Sequence, residues 1–170
     1  ACGETGFVWS RGSVGADNCD GAVCIHWAQD GIVHHMIPIH GIDHLVLRIR
    51  DVEAMLDFYC GALGCSVERR NDGIGLIQLR AGQSLIDLVP MDGKLGREGG
   101  GAPDANARNL DHFCLRVDPF DESGIRRHLA GFGIEAGSVQ PRYGAEGEGP
   151  SIYINDPEGN VVELKGPPAV

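Results

Sequence analysis

"GIDHLVLRIRD" (residues 41–51) and "NLDHFCLRVDP" (residues 109–119) are two copies of one pattern. In each, an aspartate and a histidine enter an apolar run that closes on an arginine. The two histidines, His44 and His112, stand 68 positions apart (112 − 44). Side chains of an extended strand alternate between its two faces. Ile42, His44, Val46 and Arg48 therefore share one face, with Asp43, Leu45, Leu47 and Ile49 opposite. In the second copy Leu110, His112, Cys114 and Arg116 share a face, with Asp111, Phe113, Leu115 and Val117 opposite. The copies agree position by position.

The segments after each of these strands are repeated as well. After the first, Asp51 is placed to cap "DVEAMLDFYCGALG", where Val52, Met55, Leu56, Tyr59 and Leu63 form an apolar stripe at helical spacing. After the second, Asp121 is placed to cap "DESGIRRHLAGFG", with Ile125, Leu129 and Phe132 as its stripe. Three strand-like runs then come after each helix. They are "CSVERRN", "GIGLIQLRA" and "QSLIDLVPM" in the first half, and "GIEAGSV", "PSIYIND" and "NVVELKG" in the second. Each half thus predicts a βαβββ module, in an α+β protein. Module one covers residues 39–91 and module two residues 109–168. Residues 92–108, "DGKLGREGGGAPDANAR", form a Gly- and Pro-rich crossover.

The last strand of each half brings a carboxylate to a strand face. Leu85, Asp87 and Val89 share a face in "SLIDLVP", and Val161, Glu163 and Lys165 share one in "NVVELKG". Each half therefore offers one histidine near its start and one carboxylate near its end. If the halves pack about a pseudo-two-fold axis, two imidazoles and two carboxylates converge. That donor set suits a divalent Zn, Ni, Co, Mn or Fe ion and leaves coordination positions open for substrate. A carboxylate on the inward face of an apolar strand is costly unless it is paired or metal-bound.

Composition narrows the field. The 170 residues carry 14 Lys+Arg against 24 Asp+Glu, a formal charge of −10, which argues against nucleic acid or anionic membrane as a partner. No apolar run reaches the roughly 18 residues of a membrane span. The six cysteines are scattered and read as reduced thiols. With no secretory signal pattern, these features point to a cytoplasmic protein. Residues 1–38 have little sustained periodicity and read as an N-terminal extension, disordered or foreign to the fold. The Cys19, Cys24 and His26 spacing there, with His34 and His35 nearby, matches no closed structural zinc pattern.

From about residue 39 to 166 the chain resembles the vicinal oxygen chelate superfamily, which groups glyoxalases, bleomycin-resistance proteins and extradiol dioxygenases. The motifs that carry the resemblance are "IDHLVLRIRDVEAMLDFYCGALG", "LIDLVP", "LDHFCLRVDPFD" and "SIYINDPEGNVVELKGP". The turn Asp156-Pro157-Glu158-Gly159-Asn160, which delivers Glu163, is the most specific part. The resemblance implies paired βαβββ modules that form a cupped, incomplete mixed barrel with helices outside, in a homodimer. It places His44, His112 and Glu163 at the family's metal-ligand positions. Asp87 falls where lactoylglutathione-lyase-like members carry a Glu or Gln ligand. The implied function is a metal-dependent lyase or isomerase acting on a small molecule that chelates the metal through vicinal oxygens. Glu163 is then the base and Asp87 an alternative base; in the dioxygenase reading that follows, Tyr153 is the candidate residue beside the metal. Two alternatives stand beside this reading. Without Asp87, the two-His-one-carboxylate set is that of a ferrous extradiol dioxygenase. The third possibility is a non-catalytic drug-binding resistance protein. Arg142 and Tyr143, in "RYGAEGEGP", are the expected substrate-binding residues, on a glycine-rich segment able to close over the site.

Overall fold

The computed structural model describes residues 15–19, 22–26, 37–104 and 106–168. Contacts divide the chain between Gly41 and Ile42. On the N-terminal side, β1 (Gly15–Cys19) and β2 (Ala22–His26) pair antiparallel. The remaining residues of the expected extension up to residue 36, and the metal reading of its side chains, lie outside the described residues.

From Ile42 onward the expected repeat is present. Module one comprises β3 (His44–Ile49), α1 (Val52–Leu56), β4 (Ser66–Asn71), β5 (Leu76–Ala81) and β6 (Ser84–Pro90). Its sheet has the order β3-β6-β5-β4, with β3 parallel to β6 and the other pairs antiparallel. A short helix, α2 (Lys94–Glu98), lies in the crossover. Module two comprises β7 (His112–Arg116), α3 (Glu122–Gly131), β8 (Gln140–Gly144), β9 (Gly147–Asn155) and β10 (Val161–Lys165). Its order, β7-β10-β9-β8, repeats the first topology, again with a parallel first pair. The fold is α+β, with two four-stranded mixed sheets that stay open rather than closing into a barrel.

Alternation sorts these strands as expected. Leu47 and Ile49 of β3 and Phe113 of β7 are buried, while His44, Val46, His112 and Cys114 are exposed on the other face. Helix α1 begins as read, with Asp51 Oδ1 accepting from Ala54 N at 3.0 Å. It then widens into a π-helical segment at Asp57–Ala62, where Leu63 N reaches back to Phe58 O at 3.0 Å. That segment buries Phe58, Tyr59 and Ala62. The Tyr59 ring stacks on Phe113 with centroids 6.4 Å apart, so the helix of module one packs on the first strand of module two.

Two sequence readings are corrected. "GIEAGSV" is not a strand. Ile134, Ala136 and Val139 pack against the core in extended coil, with one sheet-like bond, Gly137 N to Tyr153 O at 3.0 Å. The strand instead occupies Gln140–Gly144, because β9 runs nine residues and its N-terminal half needs a partner. The glycine-rich segment expected to act as a loose cover is thus the β8–β9 hairpin.

The crossover is tied down by Arg48. Its guanidinium donates to the carbonyls of Gly96 (3.2 Å), Gly100 (2.8 Å) and Gly101 (2.8 Å). Asn109 adds a second tie. Its amide accepts from Arg48 N at 3.1 Å and donates to Arg48 O at 3.0 Å. Gly96 sits so close to the preceding turn that a Cβ there would run into the Pro90 carbonyl and lie 2.6 Å from Met91 Cα. Gly96→Ala is therefore expected to cost about 2–3 kcal/mol through overpacking against backbone that cannot retreat. A thermal melt checks it, and an unchanged midpoint would mean that the crossover has slack.

Candidate metal and substrate site

The repeated Asp-His dipeptide has the same local effect twice. Asp43 Oδ1 lies 2.7 Å from His44 Nδ1, and Asp111 Oδ2 lies 2.7 Å from His112 Nδ1. A carboxylate only accepts, so each Nδ1–H donates to its aspartate and each ring is turned with Nε2 on its other side. This is how metal-binding histidines are generally oriented, with the remote nitrogen held by an oxygen and the near one left to ligate. The Asp43 hydrogen bond, with the charge of Asp87 behind it, raises the His44 pKa above its ordinary value.

Sheet register supplies the carboxylates in the same way twice. His44 is opposite Leu85 on the parallel partner, two positions before Asp87; His112 is opposite Val161, two positions before Glu163. In module two this brings His112 Nε2 to 3.5 Å from Glu163 Oε2. Glu163 is buried and accepts from Ser151 Oγ at 2.5 Å. In module one Asp87 is buried too, and the Gln78 amide lies 3.1 Å from each of its oxygens. Module two thus makes a histidine–carboxylate pair, while in module one the charge of Asp87 acts on His44. Among the described residues, no three His, Cys, Asp or Glu side chains gather into one metal-holding group.

The other expected residues are also located. Tyr153 stands opposite Glu163 in the β9–β10 register, and its ring meets His112 edge-on with centroids 5.7 Å apart. Arg142 lies over the Tyr153 ring, its Cζ 5.9 Å from the centroid. Tyr143 is 85 % exposed and lines the mouth of a cavity of about 420 Å³ that reaches His112 and Glu163. A larger cavity, about 1110 Å³, lies where the modules meet, between apolar residues such as Leu45, Leu63, Phe113 and Ile125.

Sequence reading missed Asp43, Asp111, Gln78 and Ser151. The Asp-His doublet was a visible signal for the first two, since an acidic residue adjoins the histidine in both copies. The other two emerge only from cross-strand register. Asp111→Ala is expected to weaken metal affinity about 10–100-fold by freeing the imidazole to rotate and change tautomer. Competition with a metal-sensitive dye measures it, and unaltered affinity would show that the aspartate orients nothing.

In donor type the residues suit a metal: two imidazoles held at Nδ1 by an aspartate, and two buried carboxylates held by a neutral donor, are the groups that borderline divalent ions take. The family model described as Glyoxalase/Bleomycin resistance protein/Dioxygenase superfamily matches residues 41–164. The chain belongs to that superfamily. It is 32% identical over 140 residues to "Virulence protein STM3117" of Salmonella typhimurium (strain LT2), covering 77% of this chain and 89% of that protein. The crystal structure of that protein superposes with a TM-score of 0.60, at 27% identity over 78% of this chain and the whole of the other. The chain is also 26% identical over 133 residues to "Catechol-2,3-dioxygenase" of Bacillus subtilis (strain 168), covering 76% of this chain but 43% of that protein. A lactoylglutathione lyase from Agrobacterium tumefaciens shares the fold, with a TM-score of 0.55 at 22% identity over 76% of this chain and 96% of the other.

Proposed function

We propose that the protein is a metal-dependent lyase or isomerase whose small substrate chelates the metal through vicinal oxygens. The observation that carries this reading is the twofold occurrence of an aspartate-anchored histidine beside a buried carboxylate. His44, Asp87, His112 and Glu163 are the proposed ligands. A bound divalent ion of the Zn, Ni, Co, Mn or Fe group would act as a Lewis acid on the substrate's oxygens. Glu163 is the proposed base. Ser151 Oγ holds one of its oxygens while the other faces His112, so a carbon-bound proton can pass to Oε2 without the side chain leaving its place. Asp87, clasped by Gln78, is the alternative base in the other half. Because no three such side chains gather among the described residues of one chain, we propose that a homodimer completes each site. In it, module one of one copy would face module two of the other. A cytoplasmic location is consistent with the free Cys60, Cys65 and Cys114. No described helix is long and apolar enough to cross a membrane.

A second reading, ferrous extradiol dioxygenase, is favoured by two contacts. Tyr153 rests against His112, where a polar group beside the metal is wanted, and Gln78 already occupies both oxygens of Asp87. Elemental analysis of wild type beside Asp87→Ala separates the two. Near-stoichiometric Zn, Ni or Co that falls sharply in the variant supports the four-ligand lyase or isomerase. Iron retained by the variant supports the three-ligand dioxygenase. Protein that stays metal-free after reconstitution overturns both and leaves a ligand-binding module.

A further inference from the structure

Lys165 ends β10 on the same face as Glu163. It is 9 % exposed, and its Nζ has no hydrogen-bond partner. One other buried side-chain nitrogen among the described residues is without a partner. It is Arg48 Nε, which belongs to a guanidinium already making three bonds to carbonyls. A buried ammonium with no acceptor is expensive, and such groups are kept where a ligand supplies the missing partner.

The surroundings make room for that ammonium and leave it free. A Cβ at Gly144 would lie 2.6 Å from Lys165 Cε, and one at Gly149 would lie 2.6 Å from the Gly166 and Pro167 carbonyl oxygens and 2.9 Å from Nζ, so the β8–β9 hairpin leaves space for the lysine only because both positions are glycine. The neighbouring charges are engaged elsewhere. Arg116, opposite Lys165 in the β7–β10 register, pairs with Glu146 and lies 3.7 Å from Asp118. Glu163 turns one oxygen to Ser151 and the other to His112. Lys165 lines the cavity of about 420 Å³ that also holds His112 and Glu163.

We infer that this end of the cavity binds an anionic oxygen group of the substrate, a carboxylate or a phosphate, with Lys165 Nζ as its donor. The inference rests on the proposed active site. It adds that the substrate carries a charged oxygen group beyond the pair of oxygens that meets the metal. Lys165 lies two positions from Glu163 along the strand, about 6.6 Å at strand rise, which sets the span the substrate must bridge.

The test has a metal-free arm and a metal-loaded arm. In the first, chelator-treated protein is titrated with inorganic phosphate and separately with succinate by calorimetry, which tells the two oxyanions apart. Wild type should bind at least one saturably, and Lys165→Met should bind it about tenfold more weakly or worse, as loss of a charge-assisted hydrogen bond implies. Lys165→Arg, which keeps the charge, should retain binding. In the second arm, cobalt-loaded protein is titrated with acetohydroxamate and with succinate monohydroxamate. Both chelate through vicinal oxygens, but the second alone bears a carboxylate. Wild type should prefer the carboxylated probe, and Lys165→Met should lose that preference while binding acetohydroxamate as before. Absence of anion binding to wild type, or binding that Lys165→Met leaves intact, overturns the inference even if metal binds well. If the protein takes up no cobalt, the active-site reading fails while the metal-free arm still decides the anion site. Removing a buried unpaired charge should not lower stability, so Lys165→Met should melt no lower than wild type.

Discussion

Asp156→Ala is expected to cost about 3–5 kcal/mol, a large share of the 5–15 kcal/mol that holds an ordinary domain folded. Asp156 is 4 % exposed and accepts four hydrogen bonds. Tyr59 Oη (2.9 Å) and Asn160 Nδ2 (2.7 Å) donate to Oδ2, while Glu158 N (3.0 Å) and Asn160 N (2.8 Å) donate to Oδ1. Two of these donors shape the β9–β10 turn, and the Tyr59 hydroxyl comes from the helix of the other module. Burial, and then the charge of Asp156, hold the Tyr59 phenol well above its ordinary pKa, so it stays a donor across the working range. Alanine would leave the Tyr59 hydroxyl and the Asn160 amide buried without an acceptor and would loosen the turn that delivers Glu163. Tyr59→Phe removes a single donor and should cost about 1–1.5 kcal/mol. Urea unfolding of the three proteins checks this. A shift below about 1 kcal/mol for Asp156→Ala would show that the turn stands without its carboxylate.

His44→Ala and His112→Ala should each lose more metal affinity than the roughly 10–100-fold attached to outer partners of a ligand. Their mixture discriminates further. If module one of one copy faces module two of the other, a mixed dimer contains one site with both defects and one with neither. Random reassembly of the two variants should then restore about a quarter of the wild-type metal sites. If the modules of one chain instead close on each other, every site keeps a defect and mixing restores nothing. Metal content and activity, measured before and after denaturation and refolding of the mixture, give the answer.

The architecture was legible because it is written in alternation and repetition. "DHLVLRI" and "DHFCLRV" each put apolar side chains on one face, and burial obeys that parity from Leu45 to Ile49 and from Phe113 to Val117. Asp51 was readable as a cap because capping is local. What could not be read depends on partners distant in the chain. "GIEAGSV" has a passable strand composition, but the strand lies at Gln140–Gly144 because β9 extends past β10 and takes that segment as its neighbour. The π-helical widening of α1 has no compositional mark. At the site, the histidines and carboxylates were visible as matching positions on matching strands. The side chains that hold them were less so. Gln78 is one polar residue in an apolar run until the β5–β6 register sets it opposite Asp87, and Ser151 lies beyond the immediate neighbour of Glu163. How the histidines and carboxylates of the two halves stand to one another depends on module packing, about which alternation carries no information.

The Asn109 amide also bears on how the protein keeps to itself. β3 lies at the border of its sheet, and a border strand offers unpaired peptide groups to any extended chain that approaches. At Arg48, Asn109 supplies a donor and an acceptor of its own, as a neighbouring peptide would, and its Nδ2 also reaches Asn160 Oδ1 at 3.1 Å. One side chain thus stands in for a missing strand. An invading segment would have to displace it to add there, so the same contact that fastens the crossover also guards this border against aggregation.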